Sequence, residues 1–396
     1  MAHRTRTHDV PAQPQPQSQS PDGPRPSGRQ VAVRALLALV LLYLFLVAVG
    51  VLEDGIAQMG EGFGDAVLEG VSHPLSGLFA GVLATILVQS SSVTTSTIVG
   101  LVATGVVPVE TAVPMVMGAN IGTTVTNTIV TMVSMRRRDE FRQVVAAATM
   151  HDLFNFLAVL VLLPLELLTG FLSSAARWLA GVVADTGITG VETTSPLAMA
   201  TDPANAAVET VLSALVPAGA GLGTVMLVLG VLALYVTIRY LSKNMRAVIA
   251  GPLQEKANRS VGRAGGLVGI AVGTVAAILV VSSSIVTVTL LPLVAAGALT
   301  VRNAYPITLG ANLGTTVTAL LAALATGQPE GLVIALVHVL FNVTAVTLIY
   351  PLPRIRYLPV RLAEGLGALA ARRRWVVPVY TGGVFVALPV AAVAAG

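Results

Sequence analysis

Two stretches of this chain, "QSSSVTTS" at 89–96 and "VSSSIVTV" at 281–288, place runs of hydroxyl side chains inside apolar segments. Polar groups are costly in hydrocarbon unless they are bonded or used. Serine caps helix starts and is both donor and acceptor, so a serine cluster suits a helix broken inside a membrane. The N–H groups freed at such a break attract anions. Two breaks meeting from opposite sides would surround a small oxyanion, with Ser90, Ser91 and Ser92 on one side and Ser282, Ser283 and Ser284 on the other.

A second pair of motifs follows: "PMVMGANIGTTVTNT" at 114–128 and "PITLGANLGTTVTAL" at 306–320. Asn120, Thr123, Thr124, Thr126 and Asn127 in the first, with Asn312, Thr315, Thr316 and Thr318 in the second, can set oxygens around a hard monovalent cation such as sodium. The offsets agree, since Ser90 to Ser282 and Asn120 to Asn312 are both 192 residues. "HDLFN" at 151–155 and "HVLFN" at 338–342 form a third pair, offset by 187. Motif content, order and spacing therefore repeat. No Lys or Arg lies within these serine or GAN motifs, so dipoles and co-bound cations must balance an anion's charge. The plainer readings are that the hydroxyls bond back to their own helices and that Gly118/Gly122 and Gly310/Gly314 are GxxxG packing pairs. His151, Asp152, His338 and Asn342 are best read as satisfied inter-helix polar groups, and Glu166 as reaching the interface.

The elements that must hold these motifs are membrane helices. Of 396 residues 55% are hydrophobic and only 11% charged, against about 25% in soluble domains; the mean hydropathy is +0.83. The fold class is an all-α polytopic membrane protein with two inverted-topology repeats, each carrying a broken-helix hairpin with a serine cluster. Seven full spans are predicted at 31–52, 111–133, 144–168, 215–239, 305–326, 331–350 and 375–395, with hairpins at 72–106 and 264–299. Residues 1–30, rich in Pro and Gln, form a disordered cytoplasmic tail. The first repeat covers 31–185, an extracellular linker 186–214, the second repeat 215–353, and a cytoplasmic segment with a terminal span 354–396. Within 169–214, "SSAARWLAGVVAD" can be an interfacial helix, and the stretch with Asp185, Asp202 and Pro203 reads as a loop. Basic clusters at 135–142, 239–263, 354–361 and 372–374 all fall on one side under this count. That places the N-terminus in the cytoplasm and the C-terminus outside. Inverted repeats with broken helices are characteristic of secondary transporters that bind substrate near the midplane.

Other classes are disfavoured. The net charge of +4 sits at span ends as a topology signal and does not imply nucleic acid. The absence of cysteine excludes disulfides and thiolate chemistry. No carboxylate pair, Cys/His cluster or phosphate-binding loop suggests an ATPase or hydrolase, so neither an enzyme, a cofactor nor a transition metal is expected.

"QSSS" at 89–92, "GANIGTTVTNTIV" at 118–130, "HDLFNFLAVLVLLPLE" at 151–166, "AYPITLGANLGTTVTALLAAL" at 304–324 and "HVLFNVTAVTLIYPLP" at 338–353 resemble the type II sodium-dependent phosphate cotransporter family. The resemblance implies a plasma-membrane symporter that moves inorganic phosphate inward with sodium as the coupling ion. It implies phosphate binding at Gln89, Ser90, Ser91, Ser92, Ser282, Ser283 and Ser284. It implies sodium binding among Thr94, Thr95, Asn120, Thr123, Thr124, Thr287, Asn312, Thr315 and Thr316. Val281 departs from the family's second motif, which usually opens with glutamine. A symporter of another oxyanion and a non-transporting or channel-like membrane protein are the alternatives.

Overall fold

The computed structural model describes residues 28–71, 73–133, 138–185, 196–260 and 265–395. Most of the expected disordered tail, the start of the 186–214 linker and part of the basic stretch at 134–137 lie outside these. Among the described residues the regular structure is helical and there is no strand. In chain order the helices are α1 (Gly28–Met59), α2 (Glu61–Gly70), α3 (Pro74–Val88), α4 (Ser91–Ala103), α5 (Val109–Gly122) and α6 (Val125–Val133). Then come α7 (Arg138–Thr169), α8 (Phe171–Asp185), α9 (Pro196–Ser213), α10 (Ala220–Ser260), α11 (Gly265–Val280) and α12 (Ser283–Ala295). The last are α13 (Val301–Thr326), α14 (Pro329–Ile349), α15 (Leu358–Arg372), α16 (Val376–Gly382) and α17 (Leu388–Ala395), the final two joined by a π-helical turn at Gly383–Ala387. Six helices are long and apolar enough to cross a membrane, or seven if the bent pair α2–α3 counts as one. The protein is an all-α polytopic membrane protein.

Both serine segments break their helices. α3 is followed by Gln89 and α11 by Val281, each with φ +56°, and these are the two non-glycine residues in the left-handed region among the described residues. Ser90 and Ser282 follow in extended conformation as N-caps, and their Oγ atoms accept from Val93 N and Ile285 N, both at 3.3 Å. The exits also match. Gly105 and Gly297 take positive φ while Val107 N donates to Leu101 O and Leu299 N to Leu293 O.

Interlocked glycines hold each broken pair to its GAN helix. A β-carbon on Gly81 would land on the carbonyl of Met115, and one on Gly118 on that of Leu78. One on Gly273 would meet Ile307 O, and one on Gly310 would meet Ile270 O. Every residue of the second set lies 192 beyond its partner in the first. Backbones approach this closely only where side chains are absent, so the GxxxG reading holds for both copies.

Three expectations are corrected. The span expected over 111–133 is two helices, α5 and α6, parted at Thr123–Thr124, whereas its counterpart α13 is unbroken. After the shared threonine pair, the first copy continues with Asn127, Thr128, Ile129, Val130 and Thr131, and the second with Ala319, Leu320, Leu321, Ala322 and Ala323. Alanine and leucine propagate a helix; asparagine and β-branched residues do so less well. The supposed loop around Asp202 and Pro203 lies within α9, which packs on α1 through Val47, Val51 and Val208. The span expected over 31–52 runs on to Met59, so Glu53 and Asp54 sit in the last turns of α1.

Candidate functional site

At the tip of α3–α4 the side chain of Gln89 stitches two elements together. Its Nε2 donates to Ile86 O, and its Oε1 accepts from Thr126 Oγ1 at 3.1 Å. At the tip of α11–α12, Val281 offers neither group. The counterpart of Thr126 is Thr318, which donates to Thr315 O on its own helix, while Ser282 N reaches Ala277 O. The backbone turn thus survives without the amide.

Beyond each turn the serines are sequestered. Ser91, Ser92 and Ser283 are buried. Ser283 Oγ has no hydrogen-bond partner among the described residues. It sits at the first position of α12, where main-chain N–H groups also lack helical acceptors. Ser284 Oγ donates to Thr123 O at 3.3 Å, and Thr287 Oγ1 to Asn127 Oδ1 at 3.0 Å. The start of α12 is therefore pinned across the sequence repeat, onto the α5–α6 break.

Apart from Thr287, the threonines assigned to sodium turn their protons onto main-chain carbonyls. Thr94 donates to Ser90 O, Thr95 to Ser92 O, Thr123 to Ala119 O and Thr124 to Ile121 O. Thr315 donates to Ala311 O and Thr316 to Leu313 O. A hydroxyl that donates in this way keeps its lone pairs for a cation.

The two asparagines are joined through α7. Asn155 Nδ2 donates to Asn120 O at 2.9 Å, and Asn155 Oδ1 accepts from Asn312 Nδ2 at 2.8 Å. His338 Nε2 stands 3.4 Å from Asn120 Oδ1, while Asn342 Nδ2 donates to His338 O. His151 faces Asn312. Asn120 of the first half therefore meets His338 of the second, while neither ring nitrogen of His151 has a hydrogen-bond partner among the described residues.

Three roles escaped the sequence reading. Asp152 is fully buried. Its Oδ2 accepts from Tyr380 Oη at 3.1 Å, and Thr124 and Thr128 face the same carboxyl. A carboxylate inside a span was itself the signal. Asn155 is the bridge just described. Glu166, read as reaching the interface, instead caps α8 by accepting from Leu172 N and Ser173 N at 2.6 and 3.2 Å. Among the described residues no cluster of three or more His, Asp or Glu is placed to hold a metal ion.

The Na+/Pi-cotransporter family matches over residues 44–191 and 232–357, two segments that contain both broken pairs and both GAN motifs. The chain belongs to that family. Sodium-dependent phosphate transport protein 2A of Ovis aries is 35% identical over 390 residues, covering 81% of this chain and 60% of its own length. The 2A protein of Rattus norvegicus is 34% identical over 387 residues, with the same coverage. The 2B protein of Homo sapiens is 32% identical over 396 residues, covering 78% of this chain and 57% of its own. This Na+/Pi-cotransporter family member thus spans about 60% of the length of these relatives. No solved structure matches it.

Proposed function

We propose that this protein carries inorganic phosphate into the cell with sodium, by alternating access of two inverted repeats in the plasma membrane. The observation that carries the reading is the duplicated break: one left-handed residue, one serine N-cap and a buried serine at the first helical position, at each of two points 192 residues apart. Gln89 meets Thr126 and Thr287 meets Asn127, so both breaks adjoin α6, and their helix N-terminal N–H groups and hydroxyls would form a donor set for a phosphate oxyanion. Ser283 Oγ, buried and without a hydrogen-bond partner among the described residues, is a hydroxyl at the break in need of an acceptor.

No Lys or Arg stands in α3, α4, α11 or α12, so phosphate needs another counter-charge in this medium. Sodium supplies it, held by threonine lone pairs beside the breaks and by Asp152 with Thr124 and Thr128. Filling only one class of site leaves a bare charge, which blocks the return of a half-loaded carrier. The glycine-locked pairs α3–α5 and α11–α13 move as rigid units, and the Asn155 bridge lies between them.

The test is uptake of labelled phosphate into vesicles containing the purified chain. Uptake is expected to require an inward sodium gradient and to fall strongly in Ser91→Ala and Ser283→Ala. Uptake indifferent to sodium would reject coupling. Sulfate outcompeting phosphate would reject the substrate.

A further inference from the structure

An apolar groove of about 670 Å³ opens beside the first serine break. Its walls are Leu87 and Val88 before the break, Leu101 of α4, Phe63 of α2, and Val228 and Leu232 of α10. A smaller cleft of about 150 Å³ continues from it between α3 and α4 as far as Met115, sharing Val88, Leu101 and Val231. The combined space lies in the size range of ligand sites, about 300–1,000 Å³.

Apart from Tyr235 at one end, the polar residues on the wall of the groove are Gln89 and Thr97, and both are already engaged. Gln89 uses both ends of its amide on Ile86 and Thr126, and the Thr97 hydroxyl donates to Val93 O. Nothing there recognises a hydrophilic solute, and an apolar space of this kind stays dry. Leu87 is 82% exposed, Val228 58% and Leu232 53%. All three belong to apolar membrane segments, so the groove opens onto hydrocarbon.

The ends of the groove differ in charge. Along α10 it runs from Leu227 to Tyr235, eight residues or about 12 Å of helix. At the Tyr235 end the Arg239 guanidinium lies 5.9 Å over the tyrosine ring. Lys243 follows one turn later, and Arg34 of α1 donates to Asn244 O at the same end. At the opposite end, Phe63 and Val67 come from α2, the helix that carries Asp65 and Glu69. A tyrosine beside a basic residue is the usual marker of a headgroup boundary.

We propose that this groove binds one phospholipid, its acyl tail along α10 and into the cleft between α3 and α4, its headgroup phosphate on Arg239. The tail fills the space between the two arms of the first broken pair, so the lipid is a structural wedge for that pair. The basic end selects the phosphate, and the acidic α2 end fixes the tail's direction.

The test uses the full chain in vesicles doped with phosphatidylglycerol carrying a photoreactive diazirine near its tail end, with labelled peptides mapped by mass spectrometry. Adducts are expected to concentrate several-fold on peptides containing Leu87–Val88 and Val228–Leu232, relative to the equally exposed Leu36–Val40 face of α1. Val228→Trp and Leu232→Trp, which fill the groove, should remove that excess. Arg239→Gln should lower labelling by phosphatidylglycerol but not by a diacylglycerol with the same tail. Labelling no denser than on α1, or unchanged when the groove is filled, would overturn the site. Labelling insensitive to Arg239→Gln with both probes would overturn the headgroup assignment. The chain has no cysteine of its own, so Leu87→Cys reports cleanly on contact between copies. Efficient cross-linking through it would give the groove to a second copy and overturn the lipid.

Discussion

The tips of the two broken pairs share a backbone and differ in chemistry. Gln89 and Val281 have the same φ, the same serine cap after them and the same glycine-locked helix behind them. Only Gln89 adds a side-chain stitch, to Ile86 and Thr126. The break is therefore made by the cap and by close helix packing, while the glutamine fastens its tip to α6. Where the glutamine is missing, the matching threonine folds back onto α13 and that helix runs on unbroken. Where it is present, the GAN helix is parted at Thr123–Thr124. One half is stitched and segmented; the other is unstitched and continuous.

The strongest way to break this comparison is to attack what the halves share. Gly81→Leu and Gly273→Leu each drive a side chain into a neighbouring carbonyl. Each should cost at or above about 3 kcal/mol, the upper end of overpacking penalties, and abolish a monodisperse folded fraction in detergent. A large effect in one half alone would show that the packing is not equivalent. A sharper probe exchanges the tips. Gln89→Val removes two hydrogen bonds and should destabilise by about 2 kcal/mol. Val281→Gly relieves a β-branched residue in a left-handed turn and should stabilise by about 1 kcal/mol. Thermal unfolding of the solubilised protein reads both, and equal shifts of the same sign would contradict the assigned roles. The smallest expected effect is at the caps. Ser90→Ala and Ser282→Ala should each cost about 1 kcal/mol, with the two shifts matching closely in the same assay.

Much of this architecture was legible in the sequence because membrane helices announce themselves by length and hydropathy, and a repeat by its fixed offset. The breaks at 89–90 and 281–282 follow from hydroxyl runs that a continuous helix could not accommodate cheaply. What stayed hidden depended on contacts between distant segments. The division of 111–133 arises from the weak helix formers after Thr124, set against Ala319 and its neighbours. Asn155 reads as an ordinary polar residue until α7 is seen between Asn120 and Asn312. Asp152 looked like a satisfied boundary group because its partner, Tyr380, comes from the far end of the chain. The loop reading around Asp202 and Pro203 failed because both fall inside α9, a helix held by packing on α1.

That last partner has a temporal consequence. Tyr380 is translated 228 residues after Asp152 and lies beyond both family-matched segments. A nascent chain halted before it leaves a carboxyl group short of a donor in the apolar interior, a deficit of several kcal/mol. Burial of that carboxyl thus waits on a helix made well after α7 itself.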